Sequence, residues 1–348
     1  MIALDSRLKG MSVFIRPSMT KFRGSTSNDV EICTAAYKAG ELRLNQQLIK
    51  ILEDMGAGHQ FFLGLQAKEI ERLRSTTSST ENASRFLKSQ SIGDRINLPR
   101  FLRKLLPLQL SFQDDNFLTN MVETAVLIQL RTLKYKAQIP VKDGFTLLGI
   151  MDETGILEEG QIFCIVDVDG RARVITGNNG QPVIISRSPA LHPGDVQLAT
   201  AVTVPESSPL MQLRNCICFS QKGPRDLPSK LSGGDLDGDT FHIFFDQNAH
   251  VQESFPPADY DKQAPRELDR RVERQDMADF FVDFMKTDQL GYICNTHKML
   301  ADQSERGVND ERCIKLAEMA STAVDFSKTG IPVCFTLHNY ILFLPWRN

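Results

Sequence analysis

Apolar residues recur along this chain with two different periods, and the change between them falls near Pro140. From Asn45 onward, Leu48, Ile51, Leu52 and Met55 repeat at helical spacing, with Asn45 placed to cap the first turn and Gly56 to end the last. A second helix is predicted over residues 61–74. A third runs from 116 to about 136, with Leu118, Met121, Val122, Ala125 and Ile128 along one side. The Ser- and Thr-rich residues 75–92 read as a linker or surface excursion. Ahead of all this, residues 1–36 mix short apolar runs with Arg7, Lys9, Arg16, Lys21 and Arg23, interrupted by Pro17 and Gly24, and predict strands and loops.

Beyond Pro140 the pattern changes to short runs rich in Ile, Val and Phe, at 146–151, 161–168, 171–176, 182–186, 197–204, 212–220 and 241–246. Clusters of Gly, Pro, Asn and Asp separate them, so each reads as a strand. Seven short strands in roughly a hundred residues predict a barrel or sandwich. The prolines and charges of 256–273 mark a linker. Helical spacing resumes at about 274–288, 295–302 and 309–324, and there is no internal repeat.

With 348 residues, 41% of them apolar, the chain is long enough for two or three domains. It has no 18-residue apolar run and no basic-then-apolar start, so it is expected to be soluble and intracellular, in nucleus or cytoplasm, with no membrane partner. Seven scattered cysteines without paired spacing predict neither a disulfide framework nor a zinc site, and Cys216 and Cys218 are expected to be buried thiols. The formal charge of −3 conceals a split. Residues 1–136 carry 20 Lys and Arg against 13 Asp and Glu, and residues 137–348 carry 20 against 30. A basic first part beside an acidic second part suits a protein that holds phosphates in one place and cations in another.

The sharpest chemical signal is Ser232-Gly233-Gly234-Asp235-Leu236-Asp237-Gly238-Asp239. In an extended chain alternate side chains share a face, so Asp235, Asp237 and Asp239 would converge, whereas in a helix they would diverge. Three such charges either raise their pKa values or gather a cation, and the glycines give a ligand access to the backbone. An EF-hand is excluded, because the sixth and twelfth positions counted from Asp235 hold Thr240 and Asp246. The run is therefore read as a Mg²⁺ site followed by an anchoring strand.

Further blocks join it. They are Leu8-Lys9-Gly10 through Arg16-Pro17-Ser18-Met19-Thr20-Lys21-Phe22, Asp152-Glu153-Thr154-Gly155, Arg187 through Asp195, and Ala323 through Gly330. Together the chain resembles the cell-encoded RNA-dependent RNA polymerases of eukaryotic RNA silencing. That resemblance implies an α+β fold in which a double-psi β-barrel, the second of two catalytic barrels, is flanked by helical regions. The implied division is a remnant of the first barrel at 1–36, a helical basic region at 37–137 and the barrel with the catalytic aspartates at 138–247. A linker at 248–273, a helical region at 274–330 and an atypical apolar tail at 331–348 complete it. The implied reaction is template-directed phosphodiester formation from ribonucleoside triphosphates on single-stranded RNA, with Mg²⁺ held by Asp235, Asp237 and Asp239. Other RNA-silencing proteins are expected as partners. Arg187, His192, Arg16 and Lys21 are expected to bind substrate, and Asp152 and Glu153 to form a turn. The alternative is a truncated, catalytically incompetent RNA-binding or assembly fragment of the same family.

Overall fold

Strand alternation after Pro140 closes on itself. The computed structural model describes residues 2–20, 24, 26–27, 29–168, 170–177, 180–246, 248–260 and 264–333. Its strands are β1 Gly40–Arg43, β2 Pro140–Met151, β3 Gln161–Val168, β4 Arg171–Val174, β5 Val183–Arg187, β6 Val196–Ala201, β7 Cys216–Phe219 and β8 Thr240–Phe244. Six of them form a ring in the order β2, β7, β3, β6, β5, β8 and back to β2. The β2–β7 and β3–β6 seams are parallel and the other four antiparallel. This ring is the expected double-psi β-barrel, within an α+β chain.

The barrel fills with side chains from every wall. Leu147, Ile162, Val166, Ile185, Ile217, Phe219, Phe241 and Ile243 pack into one cluster, with Phe219 and Phe241 edge to face at 4.9 Å. β3 is buried on both sides from Ile162 to Val166, which explains its unbroken apolar run. Cys164, Cys216 and Cys218 are buried free thiols, as their apolar setting predicts for the latter two.

Two parts of the helical reading hold to the residue. The Asn45 side chain accepts from the Leu48 amide at 2.8 Å and starts α1, Gln46–Asp54. The long helix covers Asn116–Lys136. Between α1 and that helix lie α2, His59–Thr76, α3, Thr80–Ser89, and α4, Leu98–Leu105, so the long helix is α5. The supposed linker at 75–92 is thus mostly helix. Ser79 caps α3 by accepting from the Asn82 amide, and Ala83, Phe86 and Leu87 bury against Leu73, Leu98 and Leu102. The short apolar stripe, not the Ser and Thr content, decided that segment.

β1 is also new. It pairs antiparallel with the first half of β2, which is why β2 begins at Pro140 rather than 146. Residues 29–36 and the described residues before them form no strand, only a 3₁₀ turn at Pro17–Met19, and Met11, Phe14 and Ile15 are exposed. The strands expected there do not form among the described residues. The tail from 334 onward and Lys21 lie outside the described residues.

Past β7 come α6, Leu227–Lys230, then α7, Arg274–Thr287, α8, Leu290–Gln303, α9, Glu311–Val324, and α10, Phe326–Thr329. Helices α1, α8 and α9 bury Leu48, Ile51, Ile293, Leu300 and Leu316 in one cluster with Val196 and Phe244 of the barrel. No helix among the described residues is long and apolar enough to cross a membrane.

Gly149 of β2 leaves room for the barrel filling, because a Cβ there would lie 2.4 Å from the Phe241 ring and 3.0 Å from Leu236. Gly149→Ala is therefore expected to destabilise the chain by about 1–3 kcal/mol through overpacking. Gly64→Ala, on an open face inside α2, is expected to stabilise it by about 0.5–1 kcal/mol. Denaturant melts of both variants check the pair, and equal shifts would refute this account of the barrel.

Candidate metal centre

The aspartate loop runs from α6 into β8, so its end is fixed by a barrel strand. Ser232 and Gly233 take left-handed backbone angles, φ 51° and 62°, and Gly238 sits at φ 144°. These turn the chain back on itself instead of leaving it extended. The Asp235 amide donates to Asp239 Oδ2 at 3.0 Å, and the Asp237 amide donates to Asp235 Oδ1 at 3.3 Å. One carboxylate oxygen from each of Asp235, Asp237 and Asp239 then lies within 4.8 Å of the other two. The three meet as expected, but by coiling of the loop and not by sharing the face of a strand. Leu236 packs on the barrel cluster, and the Gly149 amide donates to the Asp239 carbonyl at 3.1 Å. These contacts tether the loop to β2.

Arg187 ends β5, opposite Phe241 of β8. Its guanidinium clasps Asp239 at two points, Nε to Oδ2 at 2.7 Å and Nη2 to Oδ1 at 3.0 Å, and its Nη1 donates to the Ser232 carbonyl at 3.0 Å. In this geometry Arg187 is a partner of Asp239. His192 is turned elsewhere. Its Nδ1 accepts from the Gly194 amide at 3.0 Å, and burial holds its pKa below the usual imidazole value. It is absent from the lining of the small cavity over the aspartates, which includes Arg187, Leu191, Asp195, Tyr260, Asp325 and Lys328.

Arg16 lies on the N-terminal segment, 3.3 Å from Glu153, and lines a different cavity of ≈ 640 Å³ between that segment and the barrel. Asp152 closes a turn, accepting from the Thr154 and Leu157 amides at 2.8 Å each, and stands outside the carboxylate cluster.

The cluster's electrostatics follow from its crowding. A hydrogen bond with Asp235, then burial and the neighbouring negative charges, push the Asp237 pKa up. Asp235 moves the other way: burial opposes ionisation, but the bonds from Asp237 and the fields of Lys328 and Arg187 outweigh it. Crowding thus drives the two carboxyls in opposite directions, Asp237 up and Asp235 down. Lys328 of α10 and the buried Asp195 were not singled out as site residues, although both lie in the quoted sequence blocks. Tyr260 carried no local signal at all.

A family model described as RNA dependent RNA polymerase matches residues 1–341. The chain is 34% identical over 349 residues to RNA-dependent RNA polymerase 6 of Arabidopsis thaliana, covering 96% of this chain and 28% of that protein. It is 31% identical to RNA-dependent RNA polymerase 1 of Schizosaccharomyces pombe, covering 93% and 28%. It therefore spans little more than a quarter of the length of these relatives. Among solved structures, the RNA dependent RNA polymerase QDE-1 from Thielavia terrestris shares the fold, with a TM-score of 0.66, 21% identity, and 88% of this chain and 37% of that one covered. The barrel with its aspartate loop, seen in a chain matched almost end to end, places this chain in the RNA dependent RNA polymerase family.

Proposed function

We propose that this chain is the catalytic core of an RNA-dependent RNA polymerase of RNA silencing, forming phosphodiester bonds from ribonucleoside triphosphates along a single-stranded RNA template. The observation that carries this reading is the meeting of three carboxylates within 4.8 Å on a loop braced by the barrel. Oxygen donors at that separation suit a hard divalent cation such as Mg²⁺, whose octahedral ligands sit about 3–4 Å apart. Bound there, Mg²⁺ would supply Lewis acidity toward a 3′-hydroxyl and neutralise triphosphate charge.

The chain's own residues have separate parts to play. Asp235 and Asp237 act as ligands only when ionised, and the crowding that raises the Asp237 pKa opposes this until a cation offsets it. Arg187 holds Asp239 in one orientation by its two-point contact. Lys328 brings positive charge to the cavity and can receive a phosphate oxygen. Exposed Arg85, Lys88, Arg100, Arg103 and Lys104 on α3 and α4 offer the RNA backbone a basic surface. Regulatory partners from RNA silencing belong to the same proposal.

A single observation favours the second reading, an RNA-binding or assembly fragment: the described residues contain one barrel and not two. Incorporation of labelled nucleotide on single-stranded RNA, by this chain and by an upstream-extended one, separates the two. Asp237→Ala is expected to lower incorporation in the extended protein by at least about 10²-fold, as loss of an electrostatic stabiliser does. Activity within about tenfold of wild type would refute the catalytic assignment.

The raised Asp237 pKa makes a second prediction in the absence of metal. A folded-state pKa above the ordinary 3.8 means that the Asp237 contribution to stability is complete below pH 3.8 and is lost as pH rises through the raised value. In EDTA at neutral pH, Asp237→Asn is therefore expected to melt above wild type, with the gap closing below pH 3.8. Added Mn²⁺ should reverse the order. A variant that melts below wild type in EDTA would contradict the repulsion.

A further inference from the structure

Asp195 is buried, with 1% of its surface exposed, and it stands outside the carboxylate cluster. It nonetheless receives four hydrogen bonds. Its Oδ2 accepts from the Leu191 and His192 amides at 3.0 and 2.9 Å. Its Oδ1 accepts from the Ser232 amide at 3.1 Å and the Tyr260 hydroxyl at 3.0 Å. The donors come from three segments distant in sequence: the turn after β5, the start of the aspartate loop, and the stretch beyond β8. Moving the carboxylate would strand several buried donors at once, so it is a fixed point.

The far side of Ser232 faces the cluster. Its amide is held by Asp195, while its carbonyl accepts from Arg187, the residue that clasps Asp239. A continuous path of hydrogen bonds thus runs from Tyr260 through Asp195, Ser232 and Arg187 to a cluster carboxylate. Tyr260 is itself anchored, since Arg225 donates to the carbonyls of Ala258 and Ser229 at 2.8 and 2.9 Å. At Gly194 a Cβ would lie 2.0 Å from the Pro256 carbonyl oxygen, so the 256–260 stretch is pressed against the turn that carries Asp195.

We propose that Asp195 and Tyr260 are positioning residues for the cation site, fixing Ser232 so that Arg187 and Asp239 are set in place before an ion arrives. This rests on the reading of Asp235, Asp237 and Asp239 as cation ligands. The segment after the barrel is then part of the site's architecture rather than a passive linker.

Mn²⁺ titration of the full chain at pH 7.5, followed by the electron paramagnetic resonance signal of free Mn²⁺, tests it alongside thermal melts. Tyr260→Phe keeps the ring and removes only the hydroxyl. In Asp195→Asn, an amide oxygen left on the Leu191 and His192 amides turns its NH₂ toward the Ser232 amide, which breaks that link. Both variants are expected to weaken Mn²⁺ binding by about 10–100-fold, the usual cost of losing a group that orients a ligand. Ser84→Ala serves as the comparison, because it removes a buried bond to the Pro99 carbonyl in the helical bundle. It is expected to lower the melting temperature and leave Mn²⁺ affinity unchanged. If Asp195→Asn does not fold, Tyr260→Phe decides alone. Tyr260→Phe with Mn²⁺ affinity within about twofold of wild type would overturn the positioning role, whatever its melting temperature. A wild-type chain that binds no Mn²⁺ would overturn both this role and the cation reading beneath it.

Discussion

Closure of the barrel and geometry of the site meet in the contact between Arg187 and Asp239. β5 and β8 run antiparallel, with Arg187 opposite Phe241. The guanidinium therefore arrives beside the aspartate loop because the seam closes, not because the loop seeks it. Three neighbouring carboxylates would splay a free loop by repulsion. Arg187 fixes one of them at two points and ties the Ser232 carbonyl as well. Both partners are largely shielded from water, with 18% and 21% of their side-chain surfaces exposed, so losing either would leave a poorly solvated charge without its counterpart.

The loop divides its residues between two tasks. Leu236 and the backbone at Asp239 attach it to the barrel, through the apolar cluster and the Gly149 amide. The aspartates are left on the outside, where a cation and phosphates can reach them. The glycine in β2 belongs to the same arrangement, since any side chain at 149 would strike both Phe241 and Leu236. Core packing and site geometry are thus coupled at a single strand position.

Features set by local chemistry were legible in the sequence. The Asn45 cap, the bounds of α5 and β3, and the close approach of the three aspartates all depend on residues near one another in the chain. Where two local signals conflicted, composition misled: Ser and Thr around α3 suggested a linker, while Ala83, Phe86 and Leu87 formed the stripe that buries. Long-range features could not be read in advance. β1 gains its strand character only by pairing with a segment a hundred residues away. The partners of Asp195 could not be read from the sequence, because Tyr260 and Ser232 reach it only in the folded chain. The manner in which the aspartates converge was missed for a similar reason, since alternate spacing suits a strand and a tight loop equally well.

The central claim is that this loop, as the barrel holds it, is a divalent-cation site. Anomalous diffraction from crystals of the chain soaked in Mn²⁺ tests it most directly. The account predicts a Mn²⁺ peak bounded by oxygens of Asp235, Asp237 and Asp239, with Arg187 still in contact with Asp239. Mn²⁺ bound only at other acidic surfaces, with the three aspartates ordered and free of metal, would contradict it.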